Sequence, residues 1–77
     1  MPSTLRRFAV HAAHESRDHG HHVEGDSFEE AAVAFVETWH PGADAEGDVS
    51  VIVREDESGH EQCFRIDVET GATNPCD

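Results

Sequence analysis

The chain has 77 residues, with 17 aspartates and glutamates against five arginines and no lysine, so its formal charge is -12 at pH 7. A chain of this length builds one domain around one small core and leaves no room for a separate substrate or cofactor domain. A surface so rich in carboxylates repels the phosphates of nucleic acid. Length and charge therefore argue against an enzyme with a cofactor domain and against nucleic-acid binding.

No apolar run approaches the roughly 18 residues that a membrane span requires. The start of the chain reaches Arg6 and Arg7 without a following hydrophobic segment, which is unlike a secretory signal peptide. We therefore expect a cytoplasmic protein without membrane contact. In that compartment Cys63 and Cys76 are expected to stay reduced, whereas an oxidising compartment would allow them to pair.

The first element in chain order is a strand over residues 5–12, whose two-residue alternation places Phe8 and Val10 on one face. Residues 13–22 have no period and contain histidine, arginine, aspartate and glycine, which predicts a histidine-rich loop. The loop is expected to end where Val23 leads into the next element.

A helix follows, because Asp26 is a favourable N-cap and Glu29, three residues later, completes a capping box with it. His40 ends the helix, since Pro41 disfavours helical geometry at the residue before it and Gly42 accepts a positive φ. The apolar side chains of this helix recur at helical spacing and are expected to face the core: Phe28, Ala31, Ala32, Phe35 and Trp39.

Two further strands are predicted at residues 48–54 and 61–68, where apolar and polar side chains alternate again. The turn-forming residues 56–59 join these strands into a hairpin. A second turn at residues 69–71 leads into a tail, residues 72–77, that is expected to be frayed.

The alternation also predicts the register of the hairpin, because a one-residue slip would turn every side chain to the other face. A two- or four-residue turn places Val51 opposite Phe64 and Val49 opposite Ile66, with all four facing the helix. The predicted fold is a single α+β domain with the order strand-helix-strand-strand, ordered over about residues 5–71. Its three-stranded sheet carries one helix packed on one face and leaves the other face open.

Five of the seven histidines fall within the twelve residues from 11 to 22, and three or four imidazoles could bind zinc or another transition metal. The candidate ligands are His11, His14, His19, His21 and His22. Structural zinc sites usually draw on cysteine pairs, and the nearest cysteine is more than forty residues away. A solvated polar loop is therefore the favoured interpretation, and a metal site is the alternative.

A catalytic site is not expected. His60 and Cys63 suggest a base and a nucleophile, but their odd spacing in a strand sends the two side chains to opposite faces. Glu29, Glu30 and Glu37 lie on the solvent side of the helix, where charges are normal.

The open face of the sheet is the candidate binding surface. Alternation assigns to it three of the five arginines together with apolar side chains, a composition typical of interfaces. The candidate residues of this surface are Arg7, Ile52, Arg54 and Arg65. The alternative is that these arginines pair internally with carboxylates of the same sheet, namely Asp48, Glu61 and Asp67.

Residues 27–71 resemble a known family. Ser27-Phe-Glu-Glu-Ala-Ala, the Pro-Gly at 41 and 42, and Phe64-Arg-Ile-Asp-Val-Glu-Thr-Gly71 are similar to the PepSY-type layout of a helix followed by a hairpin. This resemblance implies a non-catalytic domain that regulates or inhibits a partner, usually outside the cytoplasm. The segment starting at Val23 is also similar to HicB-like antitoxin domains, and small uncharacterised bacterial domains share the same outline.

The sequence thus predicts a non-enzymatic domain that binds a protein, or a second copy of itself, through the open sheet face. The competing hypothesis is a metal-binding protein that uses the histidine cluster. No cofactor is expected, apart from zinc or another transition metal under that second hypothesis.

Overall fold

The computed structural model describes residues 6–15 and 20–76. Within them the chain forms β1 (Arg6–Ala12), β2 (His21–Gly25), α1 (Phe28–Trp39), β3 (Asp48–Glu55), β4 (Glu61–Asp67) and β5 (Thr73–Pro75). The strands make one antiparallel sheet in the order β2-β1-β3-β4-β5. The described part of the chain has no helix long and apolar enough to cross a membrane.

The prediction of a three-stranded sheet is wrong, because the described residues form five strands and are mostly β. The two additional strands lie at the two edges of the sheet. β2 begins inside the segment predicted as a histidine-rich loop, and β5 lies in the predicted tail. An edge strand pairs on one side only and can be short and polar, so neither segment needs the apolar alternation by which a strand is recognised.

The core lies between α1 and one face of the sheet. β1 supplies Phe8 and Val10, and β3 supplies Val49, Val51 and Val53, which are all buried. β4 adds Phe64 and Ile66, and α1 adds Ala31, Ala32 and Phe35. The hairpin register is confirmed, since Val51 pairs with Phe64 and Val49 pairs with Ile66. Trp39, predicted to face the core, is 42% exposed.

Both ends of α1 differ by one or two residues from the prediction. Ser27, rather than Asp26, is the N-cap, and its Oγ accepts a hydrogen bond from the Glu30 N–H at 3.1 Å. At the other end His40, rather than Gly42, adopts the left-handed conformation, with φ 47°, and its N–H donates to the Val36 carbonyl. The last helical residue is Trp39, and the left-handed residue of this cap follows it directly. The left-handed conformation therefore falls on His40 and not on Gly42.

The connection from α1 to β3 is ordered by one carboxylate. Asp44 Oδ1 accepts hydrogen bonds from the backbone N–H groups of Asp48 at 3.0 Å and Glu46 at 2.9 Å. These two bonds favour the ionised form and lower the pKa of Asp44 below its ordinary value of 3.8. The Asp44 side chain therefore fixes the backbone at Asp48, where β3 begins.

Truncation of Phe35 should show how much the helix contributes to stability. At about 0.05 to 0.15 kcal/mol per residue, the whole free energy of unfolding is roughly 4 to 11 kcal/mol. Phe35→Ala should lower it by about 3 to 5 kcal/mol, because Phe35 is only 2% exposed and its removal leaves a cavity. Urea unfolding followed by circular dichroism measures the loss. Val68→Ala is the control, since Val68 is 49% exposed, and a similar loss in both variants would contradict the assigned core.

The assignment of the N-cap gives a second test. Ser27→Ala should destabilise the protein by about 1 kcal/mol, because the Glu30 N–H loses its acceptor. Asp26→Ala is the matched control and should cost less, since no backbone N–H of the helix bonds to that side chain in the described structure. Thermal unfolding of the two variants side by side decides between them, and a larger loss for Asp26→Ala would restore the original cap prediction.

Candidate functional site

The face of the sheet away from α1 is the candidate site, and we call it the open face. Along each strand its side chains alternate with the core residues, so the register that buries Val51 also turns Ile52 the other way. No element in the described part of the chain packs over this face. It carries all four residues of the predicted binding surface: Arg7, Ile52, Arg54 and Arg65.

These four residues do not form one cluster. Arg54 pairs with Ala9 across β1 and β3, and Arg7 is two residues from Ala9, so the two arginines are diagonal neighbours at one end of the face. Arg65 pairs with Ser50 towards the other end, and Ile52 lies between. The open face therefore presents a half-buried apolar centre with cations on both sides.

Carboxylate partners differ among the three arginines. Arg65 Nε lies 4.0 Å from Asp48 Oδ2, and half of the Arg65 side chain remains exposed. Arg7 and Arg54 have no carboxylate within 4.0 Å among the residues that the structure describes. Arg6, on the core side of β1, pairs with Glu55 at 3.3 Å instead. Among the described arginines of this face, a pair within 4.0 Å is seen for Arg65 with Asp48, and an exposed pair of that length contributes little to stability.

A small hollow opens on the same face above Ala9, because the methyl side chain of Ala9 is shorter than the side chains around it. Ala9 pairs with His22 on one side and Arg54 on the other. The hollow has a volume of about 130 Å³, and its polar lining includes His11, His22, Arg54 and Glu61. Imidazole and guanidinium donors beside a carboxylate acceptor can hydrogen-bond a polar side chain from an opposing surface.

The structure places the described candidate metal ligands on both faces of the sheet. His21 lies on the core side of β2 and stacks on Trp39, with ring centroids 4.1 Å apart and planes 10° apart. His22 follows on the opposite face, where its Nε2 lies 3.7 Å from Asp56 Oδ2. Neighbouring residues of a strand point to opposite faces, so this strand does not offer both imidazoles to one ion.

Of the other candidate ligands, His11 shares the open face with His22 and lines the same hollow. His14 is exposed in the turn after β1, and His19 lies outside the described residues. Over residues 6–15 and 20–76, no group of three or more histidine, cysteine, aspartate or glutamate side chains is placed to hold a metal ion.

The two cysteines form a disulfide on the open face, so the expectation of reduced thiols is wrong for this structure. β5 pairs with β4 and brings the Cα of Cys76 to 5.3 Å from that of Cys63, within the usual range for a disulfide. The sequence allowed this pairing but did not predict the strand that brings the cysteines together, because Thr73–Pro75 has no apolar alternation.

A second concave surface lies on the helix side. It is an apolar groove of about 450 Å³ between α1 and β4, with Val33 and Val36 on the helix and Ile66 and Val68 on the opposite wall. The helix packs mainly over β2, β1 and β3, which leaves the β4 side less covered. Val68, predicted to face the core with Ile66, lies at the margin of this groove and is half exposed.

The fold and the open face define a small domain with one helix and a five-stranded antiparallel sheet. The model of a family of unknown function, DUF5961, matches residues 6–77, and the chain belongs to this family. Neither curated proteins nor solved structures gave a significant match. The resemblance to the PepSY-type layout stays a prediction.

Zinc titration tests the metal hypothesis against the observed separation of the histidines. We expect binding no tighter than that of a generic histidine-rich peptide, with a dissociation constant well above about 1 μM, which corresponds to roughly -8 kcal/mol. Isothermal titration calorimetry with Zn²⁺ measures it. A stoichiometric, sub-micromolar isotherm that is lost in the variant with His19, His21 and His22 changed to alanine would contradict this expectation and favour a metal-binding function.

Proposed function

We propose that this chain is a non-enzymatic domain that binds a protein through the open face. The observation that carries the proposal is an uncovered sheet face on which Ile52 lies between arginines, two of which have no carboxylate partner among the described residues. Arginine is enriched at protein interfaces, and a flat apolar centre with a charged rim is a common interface composition.

The charge distribution supports a second copy of this chain as the partner. The protein carries -12 overall, so two copies repel each other through most of their surfaces. The open face holds three of the four described arginines together with carboxylates such as Asp48 and Asp67, and is therefore close to neutral. A two-fold contact through this face lets Arg7 and Arg54 of one copy approach carboxylates of the other.

The size of the face limits the strength of this contact. The longest strand, β3, has eight residues, which at about 3.3 Å each span about 26 Å, and five strands about 4.8 Å apart span about 24 Å. The outer strands are shorter, so the face offers about 450 to 500 Å² per copy. A total of about 900 to 1,000 Å² is below the standard size of specific complexes, which supports reversible, weak association.

A binding role is also supported over catalysis by the state of Cys63. In the oxidised form the thiol considered as a nucleophile is held in the disulfide with Cys76, and a sulfur in a disulfide has no thiolate to attack a substrate. The metal-binding alternative has less support, because no group of three possible ligands comes together among the described residues.

Sedimentation velocity at several protein concentrations tests this proposal. The native chain should show an average mass that rises with concentration. Ile52→Asp should remain monomeric, since it buries a new carboxylate at the centre of the contact.

Val68→Asp is the matched control, because it places the same charge on a half-exposed valine outside the open face. It should associate like the native chain. Loss of association in Val68→Asp but not in Ile52→Asp would move the interface to the groove beside α1. A native chain that is monomeric at every concentration would exclude the second copy as the partner.

A further inference from the structure

We propose that the Cys63–Cys76 disulfide is a thiol–disulfide exchange site, at which a dithiol reductant releases β5 from the edge of the sheet. The disulfide lies on the open face, where Cys63 pairs with Ile52, but the inference does not depend on the proposed protein contact. It follows from how β5 is attached, how accessible its disulfide is and what its departure uncovers.

β5 has few non-covalent attachments. It contains three residues, Thr73–Pro75, and pairs with β4 alone because it lies at the edge of the sheet. None of the residues of the core cluster comes from β5. Pro75 stands opposite Phe64 and has no N–H to donate to the ladder. The covalent link between Cys76 and Cys63 is therefore the principal tie that keeps this strand in place.

The disulfide can be reached from solvent. Both cysteines are half-buried rather than enclosed, and they lie on the open face beside a hollow of about 220 Å³. The hollow is lined by Gln62, Cys63, Pro75 and Cys76, so its wall includes both sulfur-bearing residues. A thiolate on a small reductant or on a flexible loop has an approach to the sulfur that a disulfide in a packed core does not offer.

The exchange is a two-electron reduction by a dithiol. The first thiolate of the reductant attacks one sulfur, the Cys63–Cys76 bond breaks, and the displaced cysteine thiolate takes up a proton. In the mixed disulfide one sulfur belongs to the reductant and the other to the remaining cysteine. The second thiol of the reductant loses its proton and attacks the reductant's sulfur. The remaining cysteine leaves as a thiolate and takes up a proton. The products are two cysteine thiols and the oxidised disulfide of the reductant, so electrons and protons balance.

Release of β5 changes the edge of the sheet. β4 has seven residues, Glu61–Asp67, and becomes the new edge strand with unpaired backbone groups along one side. Two of its residues, Phe64 and Ile66, belong to the core, so the strand itself stays attached through β3 and α1. The oxidised and reduced forms thus share one core and differ at one edge.

Amide hydrogen exchange measured by NMR tests this inference on the full chain, oxidised and then reduced with dithiothreitol. Two backbone bonds report on β5: the Cys76 N–H donates to the Cys63 carbonyl at 3.1 Å, and the Asp67 N–H donates to the Ala72 carbonyl at 2.9 Å. Both amides should lose protection by about a hundred-fold on reduction, in line with the contribution of a disulfide that closes a loop of about 15 residues. The amides of β3 should keep most of their protection.

The double variant Cys63→Ser/Cys76→Ser is the control. Its Cys76-position and Asp67 amides should exchange as in the reduced chain, and dithiothreitol should have no effect on them. Three results would overturn the inference: two free thiols under oxidised dithiothreitol, unchanged protection of Asp67 and Cys76 once thiol titration shows full reduction, or equal loss of protection in β3, which indicates global unfolding instead of strand release.

Discussion

The alternation of side chains across β3 is the constraint on which the rest of the structure depends. Val49, Val51 and Val53 point into the core, and their partners in β1 and β4 follow the same register. Because the period of a strand is two residues, the same register that closes the core also places Ile52 and Arg54 on the open face. Core and candidate site are therefore two sides of one pairing pattern, and a one-residue slip would exchange them.

The one helix that the described residues form covers only one side of the sheet. α1 packs over β2, β1 and β3 and buries Phe35 against them, and nothing in the described part of the chain remains to cover the other face. The charge of -12 makes that uncovered face unusual, because most of the arginines that the structure describes lie there. A surface that is apolar at its centre and close to neutral is where a protein of this charge approaches another molecule with least repulsion.

The two edges of the sheet are held in different ways, and this difference connects structure to dynamics. β2 is anchored by side chains, since Val23 packs on the core and His21 stacks on Trp39. β5 supplies no core residue and is tied by the Cys63–Cys76 disulfide. Opening of β2 therefore requires loss of packing, whereas opening of β5 requires one redox step, so the two edges respond to different changes in the environment.

The sequence by itself determined the elements that the core must contain: β1, α1 and the β3–β4 hairpin with Val51 opposite Phe64, together with the residues that face away from the core. Burial imposes a periodic pattern on such segments, and that pattern is local and readable. Only the tertiary structure decided that His21–Gly25 and Thr73–Pro75 are strands, that His21 and His22 are separated, and that Cys63 meets Cys76. Those short, polar edge strands are held by backbone hydrogen bonds to a strand that is distant in the sequence. Nearly every residue type has the same backbone donor and acceptor, so the sequence does not predict these bonds.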